Sequence, residues 1–286
     1  MPELPEVQAL AQFLRERTDG LAVVGVELGS ITVLKTFKPP PEALVGAPID
    51  SVCRHGKFLD LDCGGTHLIF HLARAGWLRW SDALPQTVIR PGKSPIALRV
   101  RLDDGSGFDL TEAGTKKRLA AYIVEDPQQV PGIATLGPDP LAADFSQEEF
   151  AAILASRRAQ IKGVLRDQGI IAGIGNAYSD EILHVAKMSP FAIAATLDAD
   201  AVSRLYEATR ETLTSAVVAA AGKPATELKD AKRAGMRVHG RTGEVCPECG
   251  DTVREVSFAD SSLQYCATCQ TGGKPLADRR TSKFLK

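Results

Sequence analysis

Two Cys-x-x-Cys pairs, Cys246-Pro247-Glu248-Cys249 and Cys266-Ala267-Thr268-Cys269, stand sixteen residues apart near the end of a 286-residue chain. Each pair fits a tight knuckle that points two thiolates at one tetrahedral metal, and the β-rich insert at 252–265 suits a hairpin between the knuckles. Four thiolates complete the coordination sphere. One structural zinc ion held by Cys246, Cys249, Cys266 and Cys269 is therefore expected, with no open position for catalysis. The other two cysteines, Cys53 and Cys63, fall in a β-rich region and read as ordinary buried thiols. Six cysteines are too few to scaffold a chain of this size with disulfides, which points to metal binding in a reducing compartment.

With 44% hydrophobic and 24% charged residues the chain can bury a sizeable core and has room for two domains. No apolar run reaches membrane-spanning length, and the acidic N-terminus lacks a signal-type stretch. A soluble cytoplasmic protein without a membrane partner is expected, nucleoid-associated if the source is bacterial. The net charge of −1 does not advertise a nucleic-acid binder, but it conceals an asymmetry. Residues 223–286 carry +4 and residues 1–222 carry −5. A phosphate backbone would be attracted to the C-terminal end; a solvated lysine-rich tail gives the same count.

Val7, Leu10, Ala11 and Leu14 recur at helical spacing, and Gly20 is placed to end that helix. From residue 21 to about 126 the pattern changes to short β-rich runs, at 21–28, 49–63, 66–80, 97–102 and 118–124, with a tight turn at Asp104-Gly105. Strands without long intervening helices argue for an antiparallel sandwich or barrel. Pro127, Pro131, Pro138 and Pro140 then mark a stiffened linker over 127–145. Helical patterning follows, opened by a capping box at Ser146 and Glu149 and including a long helix over 198–221 closed by Gly222. The expected division is a β-rich domain at 1–126, the linker, a helical domain at 146–236, and a zinc finger with a basic tail at 237–286.

Two further stretches carry chemistry. If Met1 is removed from Met1-Pro2-Glu3-Leu4-Pro5-Glu6, the Pro2 ring nitrogen becomes a secondary amine able to attack a sugar C1′ near neutral pH, with the Glu3 carboxylate beside it to protonate an opened ring oxygen. Taken alone, the same residues also describe a stiff terminus leading into a helix. In Gly173-Ile174-Gly175-Asn176-Ala177-Tyr178, a glycine turn opens a helix whose N-terminus suits an anion. Lys162 and Asn176 supply donors, and helix packing alone would also require glycine here.

Together, Pro-Glu-Leu-Pro-Glu-Val at the start, Arg54-His55-Gly56-Lys57-Phe58-Leu59, Leu136-Gly137-Pro138, the glycine turn, and Val238-His239-Gly240-Arg241 before the cysteines resemble the formamidopyrimidine/endonuclease VIII family of DNA glycosylases. The matches run in family order from residue 2 to 270. The resemblance implies a multidomain α+β fold: an N-terminal helix plus antiparallel β-sandwich, a helix–two-turn–helix domain and a C-terminal β-hairpin zinc finger. It implies a monomeric base-excision enzyme acting on double-stranded DNA that contains a damaged base or abasic site, with the base flipped out of the duplex. Pro2 and Glu3 would be catalytic, Glu6 would orient them, and Lys57 would hold a phosphate beside the lesion. His71, Arg74, Lys117, Arg118, Lys162, Gly175, Asn176 and Arg241 would contact DNA. An iminium at C1′ would permit β-elimination, followed by δ-elimination.

Four places depart from the family pattern. Arg74 follows the His71-Leu72 pair where the family carries an uncharged gap-filling residue; a guanidinium can stack or read the opposite base. The basic stretch at 113–119 lacks an aromatic wedge, and Ser261 replaces an arginine that bonds phosphate. The segment at 223–236 is also shorter than the loop that caps oxidised purines. These departures motivate an alternative, a non-catalytic binder of damaged or distorted DNA.

Overall fold

A computed structural model describes residues 1–90, 94–113, 116–259 and 261–278. The far end of the expected basic tail, 279–286, and two residues of the basic stretch at 113–119 lie outside the described residues. The chain forms two compact units, Met1–Leu136 with Ala220–Lys229, and Gly137–Ala219 with Asp230–Lys286.

The first unit opens with helix α1 (Leu4–Thr18), whose Leu4, Val7, Leu10, Ala11 and Leu14 form one buried stripe. Two four-stranded antiparallel sheets follow, built from β1 (Val23–Leu28), β2 (Ile49–His55), β3 (Phe58–Cys63), β4 (Thr66–His71), β5 (Gly76–Ser81), β6 (Ile96–Leu102), β7 (Gly107–Glu112) and β8 (Ala120–Val124). Their orders are β1-β6-β7-β5 and β2-β3-β4-β8. Leu59, Leu61, Leu68 and Phe70 of one sheet share a core with Leu98, Val100, Phe108 and Leu110 of the other, which is the expected sandwich.

Two of the expected β-rich runs each divide into two strands. The run at 49–63 breaks at Gly56-Lys57, where Gly56 has φ +55° and His55 pairs with Phe58. A two-residue turn needs that left-handed backbone, which glycine adopts without penalty. The run at 66–80 breaks at residues 72–75. The expected turn at Asp104-Gly105 joins β6 to β7, a strand the periodicity did not single out. Cys63 is buried as expected; Cys53 is exposed, because it sits on the opposite face of its sheet from the shared core.

The proline-rich stretch is anchored by buried residues at Val130, Ile133, Pro140 and Phe145. Val130 and Ile133, the latter in the short helix α2 (Pro131–Ala134), are buried against Ile69 and Val124. Beyond Leu136, the Gly137 N–H donates to the Gln168 carbonyl at 2.8 Å and the Ala172 N–H to the Pro138 carbonyl at 3.0 Å. A side chain at Gly137 would place its Cβ 2.4 Å from the Ile170 carbonyl group. Close approach to another backbone, rather than linker stiffness, is what this glycine serves.

The second unit contains α3 (Gln147–Ala155), α4 (Ile161–Arg166), α5 (Asn176–Val185) and α6 (Ala199–Ala220). Ser146 caps α3 by accepting from the Glu149 N–H at 3.1 Å. Phe145, Phe150 and Tyr206 pack in edge-to-face and tilted ring pairs, and α6 matches the expected long helix. The chain then revisits the first unit, where Ala220, Ala225 and Leu228 join its core. Residues 220, 225 and 228, inside the helical domain expected over 146–236, are thus buried in the core of the first unit. Helix α7 (Leu228–Gly235) leads out of this segment, and β9 (Val253–Ser257) pairs with β10 (Ser262–Cys266) in the expected hairpin before α8 (Ala267–Thr271).

Candidate active site and zinc centre

Helix α1 begins two residues after Pro2, and this places the start of the chain in ordered structure. Glu3 is the N-cap, and its N–H donates to Glu6 Oε2 at 2.8 Å in a capping box. Both carboxylates are 2% exposed, and Pro2 is buried beside them. Arg54 links this helix to the β2–β3 turn: its Nε donates to Gln8 Oε1 at 2.8 Å and its NH1 to the Gly56 carbonyl at 3.1 Å. Lys57, the next residue in that turn, is thus tied to α1 through a side chain whose role the sequence did not reveal.

Lys57 is buried and acts on His71, the last residue of β4. Burial, then the Lys57 charge, lowers the His71 pKa to about 4. Its ring lies 4.9 Å from that of Phe58, and Nδ1 accepts from the Ala73 N–H at 3.2 Å. The neutral ring therefore carries its proton on Nε2, a donor suited to an anion. Arg74 is exposed on the following turn, where Ala73 has φ +52°, a backbone conformation uncommon for residues other than glycine.

The basic stretch is organised by Glu112, a buried carboxylate the sequence did not single out. Its Oε1 accepts from the N–H groups of Arg118, at 2.7 Å, and Leu119, at 3.1 Å, while the Lys117 ammonium donates to its carbonyl. Lys117 is thereby folded back on the strand. Arg118 remains exposed.

In the second unit Gln168 threads the glycine turn: Oε1 accepts from the Gly173 N–H at 3.0 Å and Nε2 donates to the Ile174 carbonyl at 2.7 Å. Gly173 has φ +85°, while Gly175 is the N-cap of α5 in extended conformation. Lys162, expected to grip a phosphate, is 5% exposed and donates to Asp180 Oδ1 at 2.6 Å, Ser179 Oγ at 2.6 Å and the Asn176 carbonyl at 3.1 Å. Its ammonium braces the first turn of α5, and Asp180 accounts for the inward pull. Asn176 donates through Nδ2 to the Ser262 carbonyl at 2.8 Å, and its buried Oδ1 has no partner among the described residues.

The next helix residue, Glu181, holds the approach to the cysteine knuckles. Its two oxygens accept from the N–H groups of Arg237, Val238 and His239 at 2.7–3.0 Å. Burial raises the Glu181 pKa, and these three donors oppose that shift. Asp180 Oδ2 meets His239 Nδ1 at 2.7 Å. Arg241 pairs with Glu244, 2.9 Å away, and its buried Nε has no partner among the described residues.

The four cysteine sulfurs all lie within 4.8 Å of one another, with Cys246–Cys269 at 3.8 Å and Cys249–Cys266 at 3.4 Å. A zinc ion with bonds of about 2.3 Å requires sulfurs about 3.8 Å apart at tetrahedral corners. The donor set fits one structural zinc, and its closed coordination supplies stability rather than a reactive water.

An ordered Pro2-Glu3 start, a hairpin lysine, a glycine turn opening a helix and a four-sulfur knuckle occur in the order of three family models. The formamidopyrimidine-DNA glycosylase N-terminal domain matches residues 1–121, the H2TH domain of that enzyme matches 136–227, and the zinc finger found in FPG and IleRS matches 243–272. A formamidopyrimidine-DNA glycosylase from Desulforamulus reducens is 31% identical over 279 residues, covering 94% of this chain and 99% of the relative. The chain belongs to the formamidopyrimidine-DNA glycosylase family. An uncharacterized formamidopyrimidine-DNA glycosylase-like protein of Mycobacterium tuberculosis is 60% identical over 151 residues, covering 53% of this chain and 94% of that protein. Among solved structures, the Lactococcus lactis Fpg in complex with an abasic site containing DNA superposes with a TM-score of 0.82 at 25% identity, covering 94% of this chain and 99% of that one. This family assignment makes the chain a DNA repair glycosylase with a zinc finger, in agreement with the fold and the cofactor read from its sequence. No described helix is long and apolar enough to cross a membrane.

Proposed function

We propose that this glycosylase, once Met1 is removed, is bifunctional, excising an oxidised or otherwise damaged base from double-stranded DNA and nicking the strand as a monomer. The Pro2 nitrogen attacks C1′ of the damaged nucleotide and the base departs. The C1′–O4′ bond then opens, Glu3 protonates O4′, and C1′ is held as an iminium to the proline nitrogen. That electron sink acidifies the C2′ hydrogen, so loss of the C2′ proton expels the 3′ phosphate by β-elimination, and δ-elimination releases the 5′ phosphate. Lys57 and the Nε2–H of His71 hold the adjoining backbone. Gly175 and Asn176 at the start of α5 take a further phosphate, while Arg74, Arg118 and Arg241 add backbone or opposite-base contacts.

The observation that carries this reading is the hydrogen bond from the Glu3 N–H to Glu6 Oε2, with both carboxylates buried directly after Pro2. A merely stiff terminus has no need to bury two carboxylates at its first helical turn. Structural neighbours such as MutM bound to carbocyclic 8-oxo-G containing DNA, at a TM-score of 0.82 and 27% identity, support the same substrate class.

Mass spectrometry of the mature N-terminus, followed by borohydride trapping on an abasic-site duplex, tests the proposal. A covalent adduct through Pro2, with strand cleavage lost in Pro2→Gly, is expected. Protein shown to begin at Pro2 that binds the duplex without adduct or nick would instead be a non-catalytic binder, the reading that Arg74 and Ser261 favour.

A further inference from the structure

Helix α5 touches the zinc hairpin at both of its ends. At its start Asn176 donates to the Ser262 carbonyl. At its far end the imidazole of His184, 1% exposed, places Nε2 3.3 Å from the sulfur of Cys246. Neither the zinc ligand set nor the proposed chemistry uses this histidine.

The contact has a direction. A zinc-bound thiolate carries no proton, so the hydrogen between the two atoms belongs to Nε2 and the imidazole is the donor. Nδ1 is then a bare lone pair, which matches its buried setting without a partner among the described residues. Four thiolates around one zinc leave a formal charge of −2, which a buried site offsets with N–H donors aimed at sulfur. Within the knuckles the donors are local backbone groups: the Asp251 N–H bonds the Cys249 sulfur and the Cys269 N–H bonds the Cys266 sulfur. For Cys246 the donor comes from a helix 62 residues earlier in the chain.

We propose that His184 is a positioning residue of the zinc centre, donating from Nε2 to the Cys246 thiolate and so locking the knuckle to α5 and slowing metal loss. A packing role and a donor role predict opposite outcomes for His184→Phe. Phenylalanine fills nearly the same volume and removes the unsatisfied Nδ1, so packing alone predicts wild-type zinc retention in a fold at least as stable. Loss of the donor predicts faster release despite that stability. Partners of this kind typically change metal affinity by about 10–100-fold.

The test uses the full zinc-loaded chain with excess EDTA and 4-(2-pyridylazo)resorcinol as reporter, and N-ethylmaleimide labelling mapped by mass spectrometry. Zinc release about tenfold or more faster in His184→Phe, with Cys246 alkylated earlier than in wild type, is expected. His184→Gln and His184→Met form a second pair of similar length, of which only the first retains an N–H donor; glutamine should hold zinc longer than methionine. Equal release from wild type and the phenylalanine variant would overturn the proposal. Should that variant not fold, equal release from the glutamine and methionine variants would do the same.

Discussion

Lys162 Nζ lies 2.6 Å from Asp180 Oδ1, and both side chains are buried. A charge pair removed from water is costly to break, because the surviving partner stays buried and uncompensated. Asp180→Asn is expected to destabilise the chain by about 3 kcal/mol in urea unfolding. Lys162→Met should cost a similar amount, and the double variant less than the sum of the two. Strict additivity would show that the pair does not act as a unit.

The capping box at the head of α1 gives a second expectation. Glu6→Ala removes the acceptor of the Glu3 N–H, a loss of about 1 kcal/mol for a helix cap. Its larger effect should fall on chemistry, since the same bond fixes the residue beside Pro2. Borohydride trapping is expected to slow by at least about tenfold. An unchanged trapping rate would mean that the cap does not position the nucleophile.

Gly137 and Gly163 offer a matched comparison. Alanine at 137 places a Cβ 2.4 Å from backbone atoms of Ile170, which cannot rotate away, whereas alanine at 163, inside α4, meets nothing within 4 Å. Gly137→Ala should cost about 2 kcal/mol or more. Gly163→Ala should stabilise by about 0.5–1 kcal/mol through helix propensity. Thermal melts of the two variants should shift in opposite directions.

His71 makes stability depend on pH in a defined window. Its folded pKa of about 4 lies below the ordinary value of 6.5, so between the two the unfolded chain binds the extra proton. The stability that comes from a neutral His71 is complete above about pH 6.5 and declines as pH falls towards 4, by at most about 1.4 kcal/mol per pH unit. His71→Gln should flatten the denaturation midpoint across that window relative to wild type. NMR titration of the ring should show the lowered pKa, and an unshifted value would refute this account.

Much of the scaffold was legible because its signals are local. The apolar stripe of α1, the Ser146 cap, the span of α6 and the spacing of the cysteines each depend on residues within a few turns of one another. What escaped depends on partners distant in sequence. No local pattern pairs Lys162 with Asp180 and Ser179, or marks Glu112 as the acceptor for Arg118 and Leu119. Nor does any local pattern show that Gln168 spans the glycine turn. His184 is a helical residue like any other until folding brings Cys246 to it. The turns within the β-rich runs at 49–63 and 66–80 are too short to interrupt their composition.

Residues 220–229 complete the core of a unit whose other residues end at Leu136. On the ribosome, α1 and β1–β8 are all synthesised well before Ala220, Ala225 and Leu228 emerge. The unit bearing the proposed nucleophile therefore cannot reach its final packing until the intervening helices, including α5 and its glycine turn, have left the exit tunnel. A prematurely released chain would present an unfinished core to cellular proteases.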